Sequence, residues 1–272
     1  MNRYTCLNNI NQKLIMSENI SNDEKKIVVS TFLNGVDNEI AISDYRKRMR
    51  VCDDAKYMYP DFFIPPYREK KRMRLIQGYL PKTNILYSNH FELEIIRLLA
   101  LFDNANNTVQ QMIDKTEQRL KRTCFGYSCT QGECLATGIC VLRFLAVTRP
   151  EEKLWINKIM TSLGKAFLTF GNGQSAIQEG IPMSYLLMAL TDINNETSKN
   201  LIYQKRDWLL NLLRRGWITG KLSNGKISEA DTYNLLGKYI IRNALGILPE
   251  FNNIEKHKIY VSEKNDRCYC DI

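Results

Sequence analysis

The chain has 272 residues, 44% apolar and 25% charged, with a formal net charge of +9. That length can bury a sizeable core as one large domain or two small ones, and the composition is that of a globular protein. No apolar run reaches the roughly 20 residues of a membrane-spanning helix, and the N-terminus has no apolar signal core, so no membrane partner is expected and a cytoplasmic chain with reduced thiols is.

In chain order, residues 1–20 are polar and read as frayed or loosely docked. Ser21 and Glu24 have capping-box spacing, which predicts a helix through Val28 and Phe32 that stops near Gly35. A second helix is expected over residues 38–57, carrying Arg46, Lys47, Arg48 and Arg50. Residues 57–67 (YMYPDFFIPPY) combine three prolines with a run of aromatics, which excludes a regular helix. Residues 68–80 are strongly basic and read as a short helix ending near Gly78.

From residue 89 the pattern becomes regular. Apolar segments start near residues 91, 132, 182 and 228, so they recur every 41 to 50 residues. Amphipathic segments at 108–123, 151–170 and 199–215 lie between them. A helix apolar on nearly every face must be buried all round, and a helix with one apolar stripe must lie outside it. The fold class is therefore all-α, with apolar inner and amphipathic outer helices, as a closed α/α-hairpin ring or a curved solenoid. Three parts follow: residues 1–88, a helical and basic/aromatic segment packed on the main domain; residues 89–250, the repeat; and residues 251–272, a polar tail.

The positive charge is uneven. Residues 44–83 contain eleven Lys/Arg and five Asp/Glu, a net +6. That points to an anionic partner: a phosphorylated small molecule, an acidic protein or, as a second choice, nucleic acid. The eight cysteines include Cys124, Cys129, Cys134 and Cys140, separated by four, four and five residues. This lacks the paired short spacing of structural zinc, so no metal and no cofactor are expected. Cys268 and Cys270 sit in the polar tail.

Candidate chemistry gathers at the starts of the apolar helices. Glu92 and Glu94, Glu133, Glu179, and Glu229 with Asp231 stand there, where carboxylates serve acid/base work but also simply oppose the helix dipole. Glu133 is flanked by Gln131 and Cys134. The candidate catalytic residues are Glu133, Cys134, His90, Glu179 and Asp231. The candidate substrate-binding residues are Gln131, Cys129, Tyr233, Trp217, Arg72 and Arg74. No P-loop, GxGxxG, HExxH or GxSxG motif occurs.

The alternation of helices, with the turns Phe125-Gly126-Tyr127, Gly171-Asn172-Gly173 and Ser223-Asn224-Gly225-Lys226 before inner helices, resembles the α/α toroid of terpenoid cyclases, protein prenyltransferase β-subunits and lanthionine-type cyclases. The resemblance implies a central cavity rimmed by those turns, and often a place in specialised biosynthesis. The chain has no DxDD motif, and His90 and His257 are its only histidines. The resemblance thus carries over the cavity and not those families' chemistries. The expected function is a toroid-like enzyme acting on a small or peptidic substrate; the alternative is a solenoid that binds nucleic acid or an acidic partner through residues 45–79.

Overall fold

The structure is a computed structural model that describes residues 2–49, 53–126, 129, 132–169, 181–218, 229–262, 264–265 and 267–272. It is mostly helical: α1 (Arg3–Ile15), α2 (Asn22–Leu33), α3 (Glu39–Arg48), α4 (Asn84–Asp103), α5 (Asn107–Leu120), α6 (Gly132–Thr148), α7 (Lys153–Thr169), α8 (Met183–Ile193), α9 (Glu196–Gln204), α10 (Arg206–Arg214) and α11 (Glu229–Leu245). The strands are short: β1 (Tyr67–Arg68), β2 (Lys71–Arg72), β3 (Trp217–Ile218), β4 (Ile259–Ser262) and β5 (Arg267–Cys270).

The apolar helices form the inner layer. α4 packs on α6, α6 on α8 and α8 on α11, while α1 touches both α11 and α4. Every residue of α4 from 86 to 100 is buried. Each fully buried Leu, Ile or Phe there contributes about 1.5–3 kcal/mol. The amphipathic helices lie outside: α5 on α4, α7 on α6, α9 on α7 and α8, and α10 on α11. α5 buries one stripe, Val109, Met112, Ile113, Thr116 and Leu120, together with Arg119.

Several boundaries differ from expectation, each for a local reason. Residues 3–15 are not frayed. Asn2 caps α1 by accepting from the Thr5 amide, and Cys6, Leu7, Ile10 and Ile15 are buried. The Ser21–Glu24 capping box is present. α3 stops at Arg48, and a 3-10 turn over Asp53–Met58 follows. The basic stretch is no helix: β1 pairs antiparallel with β2 around Glu69 and Lys70, whose φ values of 52° and 62° are those of a two-residue hairpin turn.

Two differences matter for function. α4 begins at Asn84, capped by Thr83, seven residues before the expected start. His90, Glu92 and Glu94 therefore sit inside an inner helix and not at its rim. The C-terminal residues are no loose tail either. β4 and β5 form a hairpin that adds β3 and packs on α11, burying Cys268 and Cys270.

Candidate functional site

The centre of the helix array is polar. Glu94, on the third turn of α4, is 1% exposed. Arg97, one turn on, donates through Nε to Glu94 Oε2 at 2.9 Å. Arg143 of α6 donates through Nε to Glu94 Oε1 at 2.6 Å, and Tyr185 Oη of α8 donates to the same oxygen at 2.7 Å. Arg97 Nη2 continues to Asn11 Oδ1 of α1 at 2.6 Å, and Arg143 Nη1 to Asp192 of α8 at 2.6 Å. Four helices are thus joined through one carboxylate. Burial alone would raise the Glu94 carboxyl, but the Arg143 and Arg97 guanidiniums outweigh it and hold the group well below the usual carboxylate range. Glu94 is ionised and fully engaged, which makes it a clamp and no general base.

His90 lies one turn before Glu94, its ring 5.2 Å from that of Tyr185. Burial lowers its pKa to about 4, against the pull of Glu94, and its buried Nε2 has no hydrogen-bond partner among the described residues. It is a neutral core histidine at pH 7.

Beside this network opens a cavity of about 310 Å³. Five helices line it: α1 with Asn11, Leu14 and Ile15, α4 with Arg97 and Leu101, α6 with Arg143 and Val147, α8 with Met188, Thr191 and Asp192, and α11 with Ile240 and Asn243. All of these except the mid-helix Met188 stand in the C-terminal halves of their helices, so the cavity lies at the opposite end from the helix starts where candidate residues were expected. Half the wall is apolar. The polar half carries the Arg97 edge, with Nη1 unpaired among the described residues, and Asp192, whose side chain is 28% exposed.

At the other end, segment 74–83 lies against the helix starts. It crosses the starts of α6 and α11 with Leu75 and Ile76 fully buried. Gly78, at φ +91°, lies so close to the Tyr233 ring that a Cβ there would meet it at 2.5 Å. Only glycine fits that position. Glu133 reaches the same segment: Tyr79 Oη donates to it at 2.9 Å, and the Lys82 and Thr83 amides complete the set. The Glu133 carboxylate therefore anchors the N-terminus of α4 and points at backbone, away from the cavity.

The other expected site residues are dispersed. Arg72 donates to Asn84 Oδ1, and Arg74 to the Gly78 carbonyl. Trp217 packs on Gly237, with Lys238 Nζ 4.7 Å from its ring. Gln131 and Glu179 lie outside the described residues, as does the side chain of Asp231. Cys129 and Cys134 do come together, joined by Cys124, with all three Sγ atoms within 4.8 Å of one another. Burial first, then the neighbouring Cys124 and Cys129, raises the Cys134 thiol, which disfavours a free thiolate nucleophile there.

The residues that sequence reasoning missed are Arg97, Arg143, Tyr185, Asp192 and Asn11. A signal for the first two existed: each is a lone arginine inside an apolar inner helix, and an arginine is almost never buried without a partner. A second polar feature is a cleft of about 350 Å³ between the 3-10 turn and α5. Lys56, Lys115 and Arg122 face it around Tyr57, with no carboxylate within 4.0 Å of any of them among the described residues.

Comparison with known protein families, with curated proteins and with solved structures finds no match to this chain.

Proposed function

We propose that the inner helices form a closed ring of α/α-toroid type, and that its central cavity binds a small organic acid with a short hydrocarbon body. The observation that carries this reading is the five-helix cavity itself, apolar on one half and lined by a fixed guanidinium on the other. The volume suits a small ligand at the low end of the usual pocket range of about 300–1,000 Å³. Arg97 is held rigid by Glu94 and Asn11, so a ligand carboxylate meets a donor that needs no ordering on binding. Acid/base chemistry in this cavity would fall to Asp192, the one carboxylate in its wall.

The test is a thermal-shift and calorimetric screen of short aliphatic and aromatic carboxylic acids. An acid that stabilises the chain should bind at least tenfold more weakly to Arg97→Gln. It should also lose affinity for Thr191→Leu, which fills the cavity without touching the charge network. Absence of any stabilising acid, or affinity unchanged in both variants, overturns the reading.

The cleft beside α5 favours a second reading, an anion-binding face. Among the described residues Lys56, Lys115 and Arg122 have no carboxylate partner, and Tyr57 offers a stacking surface. This site joins α5 to part of residues 45–79, while Arg72 and Arg74 stand elsewhere. Retention on heparin or single-stranded DNA that falls steeply with salt, and is lost in Lys115→Glu/Arg122→Glu, supports it; no retention at low salt removes it.

A further inference from the structure

We propose that Cys124, Cys129 and Cys134 bind one zinc ion through three thiolates, with the fourth position left to water or an added thiol. Cys124 stands in the turn after α5, Cys129 in the loop that follows, and Cys134 in the first turn of α6. A spacing of four residues between successive cysteines gives no paired zinc pattern in sequence, yet the fold brings the three cysteines together. The Cys129 amide donates to the Cys124 carbonyl at 3.2 Å, which holds these two cysteines near each other. The Cys124 and Cys134 sulfurs are 3.2 Å apart, and all three lie within 4.8 Å of one another. A zinc–sulfur bond of about 2.3 Å sets sulfurs in a tetrahedral site about 3.8 Å apart, inside that spread. None of the three is in a disulfide.

The surroundings suit a cation of this kind. Three sulfurs crowded together repel as thiolates, and a divalent ion between them removes that cost. Cys134 lies in the first turn of α6, where the helix dipole favours negative charge. Cys124 is exposed and the other two are partly so, which leaves a path for the ion. Soft sulfur ligands without oxygen donors select zinc or copper(I) over magnesium or calcium. The ion would tie the turn after α5 to the start of α6, close to Glu133 and hence to the anchored start of α4. Three protein ligands and one free position is also the ligand count of catalytic zinc, so the site is open to exchange.

The experiment is a titration of the reduced full-length chain with Co²⁺ under anaerobic conditions, followed by Zn²⁺. One equivalent of Co²⁺ should bind with a thiolate-to-cobalt charge-transfer band in the near ultraviolet. One equivalent of Zn²⁺ should abolish the band and release up to about three protons. Cys124→Ser, at an exposed position that should leave the melting curve intact, should weaken binding at least tenfold. Cys124→Ser/Cys134→Ser should abolish it, and Cys268→Ser should leave it unchanged. A missing band, a stoichiometry that survives the double substitution, or a Cys124–Cys134 disulfide forming with zinc present overturns the proposal. A site that takes copper(I) from a chelator but neither Co²⁺ nor Zn²⁺ overturns the zinc assignment.

Discussion

A carboxylate taken out of water loses several kcal/mol of hydration, and Glu94 recovers it only because two guanidiniums and a phenol reach it. Its neighbour His90 has no such compensation and stays neutral. The charged and titratable groups nearest to it are Glu94 and Arg97 of α4, Arg143 of α6 and Tyr185 of α8. Burial dominates and lowers the imidazole from 6.5 to about 4. Between those values the unfolded chain binds more protons than the folded one. The stability that neutral His90 brings is therefore complete above about pH 6.5 and is lost as pH falls towards 4, by up to about 3 kcal/mol. Urea unfolding at pH 7.5 and 4.5 should show this loss in the wild type and a loss smaller by about 2–3 kcal/mol in His90→Gln. Equal losses in both would mean that the imidazole is not the group titrating.

Elements in this chain are joined by side chains that satisfy each other's ends. Lys238 of α11 is fully buried and donates through Nζ to the Leu212 and Leu213 carbonyls at 2.8 and 2.7 Å and to that of Arg215. Leu212 and Leu213 belong to the last turn of α10 and Arg215 caps it, where carbonyls have no partner within their own helix. Lys238→Met keeps the packing volume but strands those carbonyls, and should cost about 2–4 kcal/mol in chemical denaturation. A change under about 0.5 kcal/mol would show that water replaces the ammonium without loss. The same logic decides what could be read from sequence. Apolar helices alternating with striped ones told the all-α class, because that periodicity is local. The start of α4 was hidden, because NILYSN, residues 84–89, reads as a connector until Tyr87 and Ser88 are seen buried under β1 and α3. Glu133 looked catalytic by position. Its actual partners, the Lys82 and Thr83 amides, lie about fifty residues away and no local pattern announces them.

At the scale of the whole molecule, the contacts run from α4 through α6 and α8 to α11 and return to α4 by way of α1. Two side-chain hydrogen bonds tie α1 to its neighbours in that circuit. Asn11 accepts from Arg97 of α4, and Asn243 of α11 donates to the Ile15 carbonyl at 2.7 Å, across 228 residues of chain. Both bonds sit in the cavity wall, so the group that closes the circuit also shapes the proposed ligand site. Removing one of them by Asn243→Ala should cost about 1 kcal/mol. α1 packs on α2, α4 and α11, so that cost should appear locally, at α1 and not at α6 or α8. Hydrogen exchange of the α1 amides should accelerate about fivefold, with α6 and α8 unchanged. A ligand held by Arg97 and the cavity wall should reverse the acceleration by binding only the closed form. Uniform acceleration across the inner helices would instead mean that α1 is an inseparable part of one cooperative core. The cavity would then be a fixed feature of the fold with no opening of its own.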